Sequence, residues 1–318
     1  MLASHDDLTA RLGTLERRLG DTGVAADAAS SARSAARIGA VALSIPAGAR
    51  YDEVWPQRIA YREDEPFPSA STIKVFILQA LLEEVAAGRI RLEDERVVCA
   101  SDMVTGSGVL KALTPGRAYP LVDLATLMIA ISDNTATNVL IDLLGIERVR
   151  AAIVRHGWSS TQAMGKLQVG AVQAGRKSSP SMTSPADLAD YFARLWLGEL
   201  LPPALTDVAK AIYRKQQFGE LGRSLDYDGY SAEIGVSELR IASKSGSIRG
   251  VRNDAGVFEH APFDETAPVV VMALMTRGCP DERFHPDNFG AKVLGEAAAL
   301  LYHASTSDVP TSPSDHPA

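Results

Sequence analysis

Apolar residues recur at helical spacing from the start of the chain. Leu8, Leu12, Leu15 and Leu19 are separated by four, three and four residues, the period of a helix with one apolar stripe. That stripe is expected to dock on its own domain or on a second copy of the chain, which would give a homo-oligomer through the N-terminal helix. Residues 21–37, rich in Ala and Ser, read as a small-residue helix or a linker. The segment 38–46, IGAVALSIP, has strand composition, and Gly48 turns the chain into a second expected strand around 51–61, closed by Pro66 and Pro68.

The period then lengthens. Val75, Ile77, Leu78, Leu81, Leu82 and Val85 predict a helix from Thr72 to about Ala87, stopped at Gly88. Further helices are expected over 121–131, 135–144 and 146–156, the last two stopped at Gly145 and Gly157. Ser184-Pro185-Ala186-Asp187 carries the cap, first-turn proline and acidic third position of another helix start. After about residue 235 strand patterns return over 239–244, 251–259 and 268–277, followed by a closing helix over 288–304.

Strands at both ends around a helical middle predict an α/β domain of the α+β kind, with one sheet assembled from N- and C-terminal segments. Residues 1–37 form an extension, 38–304 the domain, and 305–318, rich in Ser, Pro, Thr and Asp, a disordered tail. Within the domain, 38–70 and 235–304 supply the sheet and 71–234 the helical part.

Composition narrows the function. Asp and Glu number 39 against 32 Lys and Arg, a formal charge of -7, which argues against broad binding to nucleic acid or an anionic membrane. Cys99 and Cys279 permit at most one disulfide in a chain that does not need one, so buried, reduced thiols are expected. Asp6, Asp7 and Glu16 interrupt the first twenty residues, and no apolar core follows the initiator Met. This predicts neither an export signal nor a membrane span, and a cytoplasmic location. Asp102, Asp123 and Asp133 have no histidines at metal-ligand spacing, and no phosphate-loop or dinucleotide motif occurs, so neither metal nor cofactor is expected.

Three short motifs carry the chemistry. In Ser71-Thr72-Ile73-Lys74, a serine and a lysine three apart at a helix start share one face, within reach of each other. Ser132-Asp133-Asn134 places a hydroxyl, a carboxylate and an amide at the junction of two helices, and Lys244-Ser245-Gly246-Ser247 follows a strand, where glycine permits close backbone approach. Each alone reads as a cap or a tight turn. In this order they match the Ser-x-x-Lys, Ser-Asp-Asn and Lys-Thr-Gly signature, with Ser245 in place of the threonine.

The chain therefore resembles a class A β-lactamase-related serine hydrolase, over roughly 38–304. Phe67-Pro68, Gly108-Val109-Leu110 and Gly250 to Val257 extend the likeness, as do spacings of 58 residues from Lys74 to Ser132 and 112 from Ser132 to Lys244. The resemblance implies an antiparallel sheet with flanking helices and an inserted helical subdomain. It implies that Ser71 is acylated, that neutral Lys74 is its base, and that Ser132 relays a proton to the leaving group. Asn134 would help fix Lys74 and the substrate, Lys244 would add positive potential, and Ser245 would bind a substrate carboxylate. The amides of Ser71 and Ser247 would form the oxyanion hole, Gly246 would belong to the same substrate-binding strand, and Arg249 or Arg252 would assist carboxylate binding. The implied substrate is a small amide, ester or lactam.

One departure stands out. Class A enzymes carry a deacylating glutamate in the loop after the middle motif, yet Trp158 through Pro185 contains no Asp or Glu. Gln162, Gln168 and Gln173 can orient a water but cannot take its proton as a carboxylate does. His156, beside Gly157, reads as a helix-terminal residue rather than a substitute base.

Overall fold

The computed structural model describes residues 5–21, 35–167, 180–233, 235–260 and 267–306. Most of the 21–37 segment, Gln168, Gln173 and all but the first two residues of the 305–318 tail lie outside them. The chain opens with α1 (His5–Gly20), β1 (Arg37–Ile45), the single turn α2 (Tyr51–Val54), β2 (Ile59–Tyr61) and β3 (Phe67–Pro68). The helical middle follows: α3 (Lys74–Ala86), a ribbon of β4 (Glu95–Val98) and β5 (Arg117–Pro120), then α4 (Leu121–Ala130), α5 (Asn134–Leu144) and α6 (Ile146–His156). After β6 (Met182–Thr183) come α7 (Pro185–Trp196), α8 (Pro203–Tyr213) and the short α9 (Gly229–Glu233). The closing segment is β7 (Leu239–Ile248), β8 (Val251–His260), β9 (Val269–Arg277) and α10 (Phe289–Thr306).

Five strands form one antiparallel sheet in the order β2-β1-β9-β8-β7, so the first and last parts of the chain do meet in one sheet. Both faces of it are covered, which explains why β1 and β9 read as unbroken apolar runs. Val41, Leu43, Val271 and Ala273 face the large core shared with α3 and α7, while Ala40, Ala42, Val270 and Met272 face a second core under α1 and α10. The four leucines of α1 are buried, three of them in that second core, so the stripe docks on its own domain.

Several local expectations differ. The strand expected over 51–61 survives only as Ile59–Tyr61, paired with Ala40–Ala42 of β1. Glu53 Oε2 accepts from the Arg50 amide at 3.1 Å and Tyr51 donates its hydroxyl to Asp190, while Pro56 lacks an amide for a ladder; these local bonds fix a helical turn instead. Cys279 is buried as expected, but Cys99 is exposed: its amide is taken by Asp102 Oδ2 at 2.7 Å, starting a surface turn. The cap at Ser184 is as read, its Oγ accepting from the Asp187 amide at 3.1 Å. Trp158 is fully buried among Phe76 and Tyr191.

Candidate active site

Ser71 lies in a turn of 3-10 helix, Ala70–Ile73, and α3 proper begins at Lys74. The α-helix thus starts two residues later than expected. Ala70 has φ of +48°, a conformation that costs a non-glycine residue about 1–2 kcal/mol and that throws Ser71 out at the head of α3. Lys74 is fully buried. Its Nζ donates to Ser132 O at 2.7 Å, Ser132 Oγ at 2.9 Å and Asn134 Oδ1 at 3.0 Å. Burial, and secondarily the nearby Lys244, hold the amine well below the ordinary lysine range, against a smaller opposing pull from Asp133.

The junction of α4 and α5 is built to meet that amine. Ser132 adopts φ of +56°, and Asp133 ties the corner down. Its Oδ1 caps α5 by accepting from the Ala136 amide at 2.9 Å, and its Oδ2 accepts from the Val109 and Leu110 amides at 2.7 and 2.9 Å. Gly108, at φ of +104°, permits this approach, since a Cβ there would sit 2.3 Å from the Asp133 carboxyl. Ser107, which the sequence did not single out, donates to Ser132 O at 2.7 Å. Asn134 donates to Thr105 O at 3.2 Å, leaving its Oδ1 turned to Lys74.

The third motif arrives on β7, which packs against the Ser71 turn. Gly246 makes this contact: a Cβ on it would lie 2.8 Å from the Ser71 amide nitrogen. Lys244 is fully buried and donates to Ser245 O at 2.7 Å. Burial lowers it to about 7, partly offset by the Asp254 carboxylate. Ser245 is buried and Ser247 half-buried on the same strand.

The structure spends the two arginines elsewhere. Arg249 is exposed and faces Glu282 at 3.5 Å. Arg252 is buried, its guanidinium donating to the carbonyls of Ile248, Val251 and Arg283 and lying over the Phe284 ring. His156 bonds Glu83 at 2.6 Å. Glu83 sits nine residues beyond Lys74, about 13 Å along the helix axis. Gln162 is exposed and bridges its backbone to Met182 at the neck of the loop.

One contact near the site was not anticipated. Asn138 lies one turn beyond Asn134 on α5 and clamps a backbone: its Nδ2 donates to Leu167 O at 3.0 Å and its Oδ1 accepts from the Leu167 amide at 2.8 Å. A further turn on, Asp142 pairs with Lys166 at 2.5 Å. The i, i+4, i+8 spacing of Asn134, Asn138 and Asp142 was the available signal.

A model of the family described as beta-lactamase enzyme family matches residues 31–304. The β-lactamase of Rhodobacter capsulatus is 28% identical over 246 residues, covering 76% of this chain and 78% of that one. The crystal structure of the β-lactamase from Sphaerobacter thermophilus DSM 20745 superposes with a TM-score of 0.73 at 27% identity, over 95% of this chain and 98% of that one. An acyl-enzyme complex of PBP-A with penicillin G, in a leucine-to-glutamate mutant, superposes with a TM-score of 0.68 at 25% identity, over 93% and 97% of the two chains.

Proposed function

The chain belongs to the beta-lactamase enzyme family, and from that premise we propose that it is an active-site serine hydrolase that passes through an acyl-enzyme on Ser71, formed from a small amide, ester or lactam. The observation that carries this reading is the buried Lys74 amine, held between Ser132 and Asn134 and with its proton affinity lowered well below the ordinary lysine range, chiefly by burial. Once neutral, the amine keeps N–H bonds to two of its three acceptors and turns its lone pair to take the Ser71 proton as the hydroxyl attacks the substrate carbonyl. Ser132, bonded to the same amine, returns a proton to the leaving group. The amides of Ser71 and Ser247 receive the oxyanion, Lys244 supplies positive potential, and Ser245 binds a substrate carboxylate. Arg249 and Arg252, committed to Glu282 and to backbone carbonyls, serve the strand end rather than the substrate.

Release of the acyl group is the slow step in this proposal. No carboxylate occurs between Trp158 and Pro185, and the backbone that Asn138 clamps one turn from Asn134 carries the apolar Leu167. Water is then activated only through Lys74, or displaced by an attacking amine or alcohol. The same observation favours a second reading, a penicillin-binding protein with little turnover. Incubation with a fluorescent penicillin, followed by a denaturing gel, tests both. The proposal expects label that persists for many minutes and is absent from Ser71→Ala; label lost within seconds signals an efficient β-lactamase with another water-activating group, and no label with any β-lactam, ester or amide probe contradicts the serine mechanism.

A further inference from the structure

The turn carrying Ser71 is strained and needs holding. Ala70 sits at φ of +48° immediately before the nucleophile, and a lone residue in that conformation persists only when its surroundings over-determine it. Within the turn, Ser69 O accepts from the Thr72 amide at 3.1 Å and from Thr72 Oγ1 at 2.7 Å. From outside, Ser69 is bonded to Ser181 O through its amide at 2.8 Å and its hydroxyl at 3.0 Å.

A further clamp comes from the sheet. Asn253, fully buried on β8, donates its Nδ2 to Pro68 O at 2.8 Å and to Ser69 O at 3.2 Å, while its Oδ1 accepts from the Thr276 amide at 3.1 Å. The register explains how it reaches. Asn253 stands directly opposite Gly246, and partners across an antiparallel ladder project on the same face. Gly246 has no side chain, so the turn rests on bare strand there, with its Ser69 carbonyl and Ser71 amide both within 3 Å of where a Cβ would stand. The amide of Asn253 fills the space beside it. Its amide nitrogen is spent on the two residues preceding Ala70, and its oxygen accepts from β9.

We propose that Asn253 is a positioning residue for acylation, whose amide, reaching beside Gly246, bolts the strained turn to the sheet and keeps the Ser71 amide and hydroxyl aligned with the Ser247 amide on β7. The proposal rests on reading Ser71 as the nucleophile. It touches no proton of the reaction. Asn253 therefore governs how fast a bound substrate acylates Ser71, not how tightly the substrate binds or how the rate depends on pH.

The test compares wild type with Asn253→Ala and with Asn253→Ser, the latter keeping a small polar group beside the Thr276 amide but falling short of the two carbonyls. Stopped-flow labelling with a fluorescent penicillin over a concentration series separates the acylation rate constant from the affinity of the preceding complex. Expected is a fall of about 10- to 100-fold in the acylation rate constant, with affinity within about threefold of wild type and the midpoints of the pH profile unmoved. Peptide-resolved hydrogen exchange should rise over 67–76 in both variants and, in Asn253→Ser, stay unchanged over β9. Unaltered acylation in a folded variant, or a loss confined to affinity, overturns the proposal. If Ala does not fold, the Ser variant decides. If wild type takes no label, it is the nucleophile reading that fails, and exchange over 67–76 then decides alone, with no rise refuting the clamp.

Discussion

At the scale of single residues, the proposed mechanism turns on two buried lysines. Neither amine can be fully charged without a desolvation cost, and Lys244 further disfavours charge on Lys74. In the proposed mechanism the two work in opposite states, Lys74 neutral and Lys244 protonated. Acylation should then rise with pH as Lys74 gives up its proton. It should fall again on the alkaline side with a midpoint near Lys244's value of about 7. Lys244→Arg keeps its charge far above that pH, so its alkaline limb should move upward while some activity is retained. Asp254 is also pushed up to about 7 by burial, and this substitution tells the two apart: an alkaline limb that stays in place in Lys244→Arg would assign the titration to another group.

At the scale of elements, α5 organises the site. Its cap, Asp133, accepts three amides drawn from two segments. Asp133→Ala loses a cap worth about 0.5–2 kcal/mol and leaves two loop amides short of a partner at about 1–3 kcal/mol each. Chemical denaturation should therefore show a loss of at least about 2.5 kcal/mol, together with loss of acylation; a loss below about half a kilocalorie would mean that water replaces the carboxylate. One turn further on, Asn138 pins Leu167, and Leu167→Glu places a carboxylate on that clamped backbone. Intact-mass spectrometry should show the penicilloyl adduct decaying at least about 100-fold faster than in wild type, and an unchanged lifetime would remove Leu167 from the account of slow release.

How much of this was readable beforehand follows from the range of each interaction. The three motifs, the strands over 239–244, 251–259 and 268–277 and the helix cap at Ser184 rest on local spacing, and the sequence displays local spacing directly. The turn at 51–57 did not read correctly, because its apolar composition suits a strand while side-chain bonds from Glu53 and Tyr51 decide the backbone. Asn253 was invisible for a different reason, and so was the partner of Asn138, whose spacing from Asn134 could place it on the same helix face but not show what it bonds. Each acts by bonding a backbone far away in sequence, Leu167 or Pro68, and a lone asparagine carries no mark of that partner. Ala70 likewise gives no hint of a left-handed backbone.

The whole molecule is a sheet covered on two sides, with the candidate site where β7 meets the helical layer. α1 belongs to the opposite side, against α10 and β1, and Arg18 pairs with Glu296 of α10 at 2.6 Å. No helix among the described residues is long and apolar enough to cross a membrane. Because Leu12 and Leu19 are almost wholly buried, either changed to Ala should cost about 2–5 kcal/mol, read as a lower unfolding midpoint with acylation kinetics at 25 °C unaltered. A midpoint unchanged in both variants would show that α1 is not docked in solution.

The central claim is that three distant stretches of chain converge to make Ser71 an acyl acceptor. Its most direct test is to incubate the protein with a penicillin, digest it and locate the added mass by tandem spectrometry. One penicilloyl group is expected on the peptide containing Ser71, absent from Ser71→Ala and formed much more slowly in Lys74→Ala. An adduct on any other residue, or one that survives in Ser71→Ala, would contradict it.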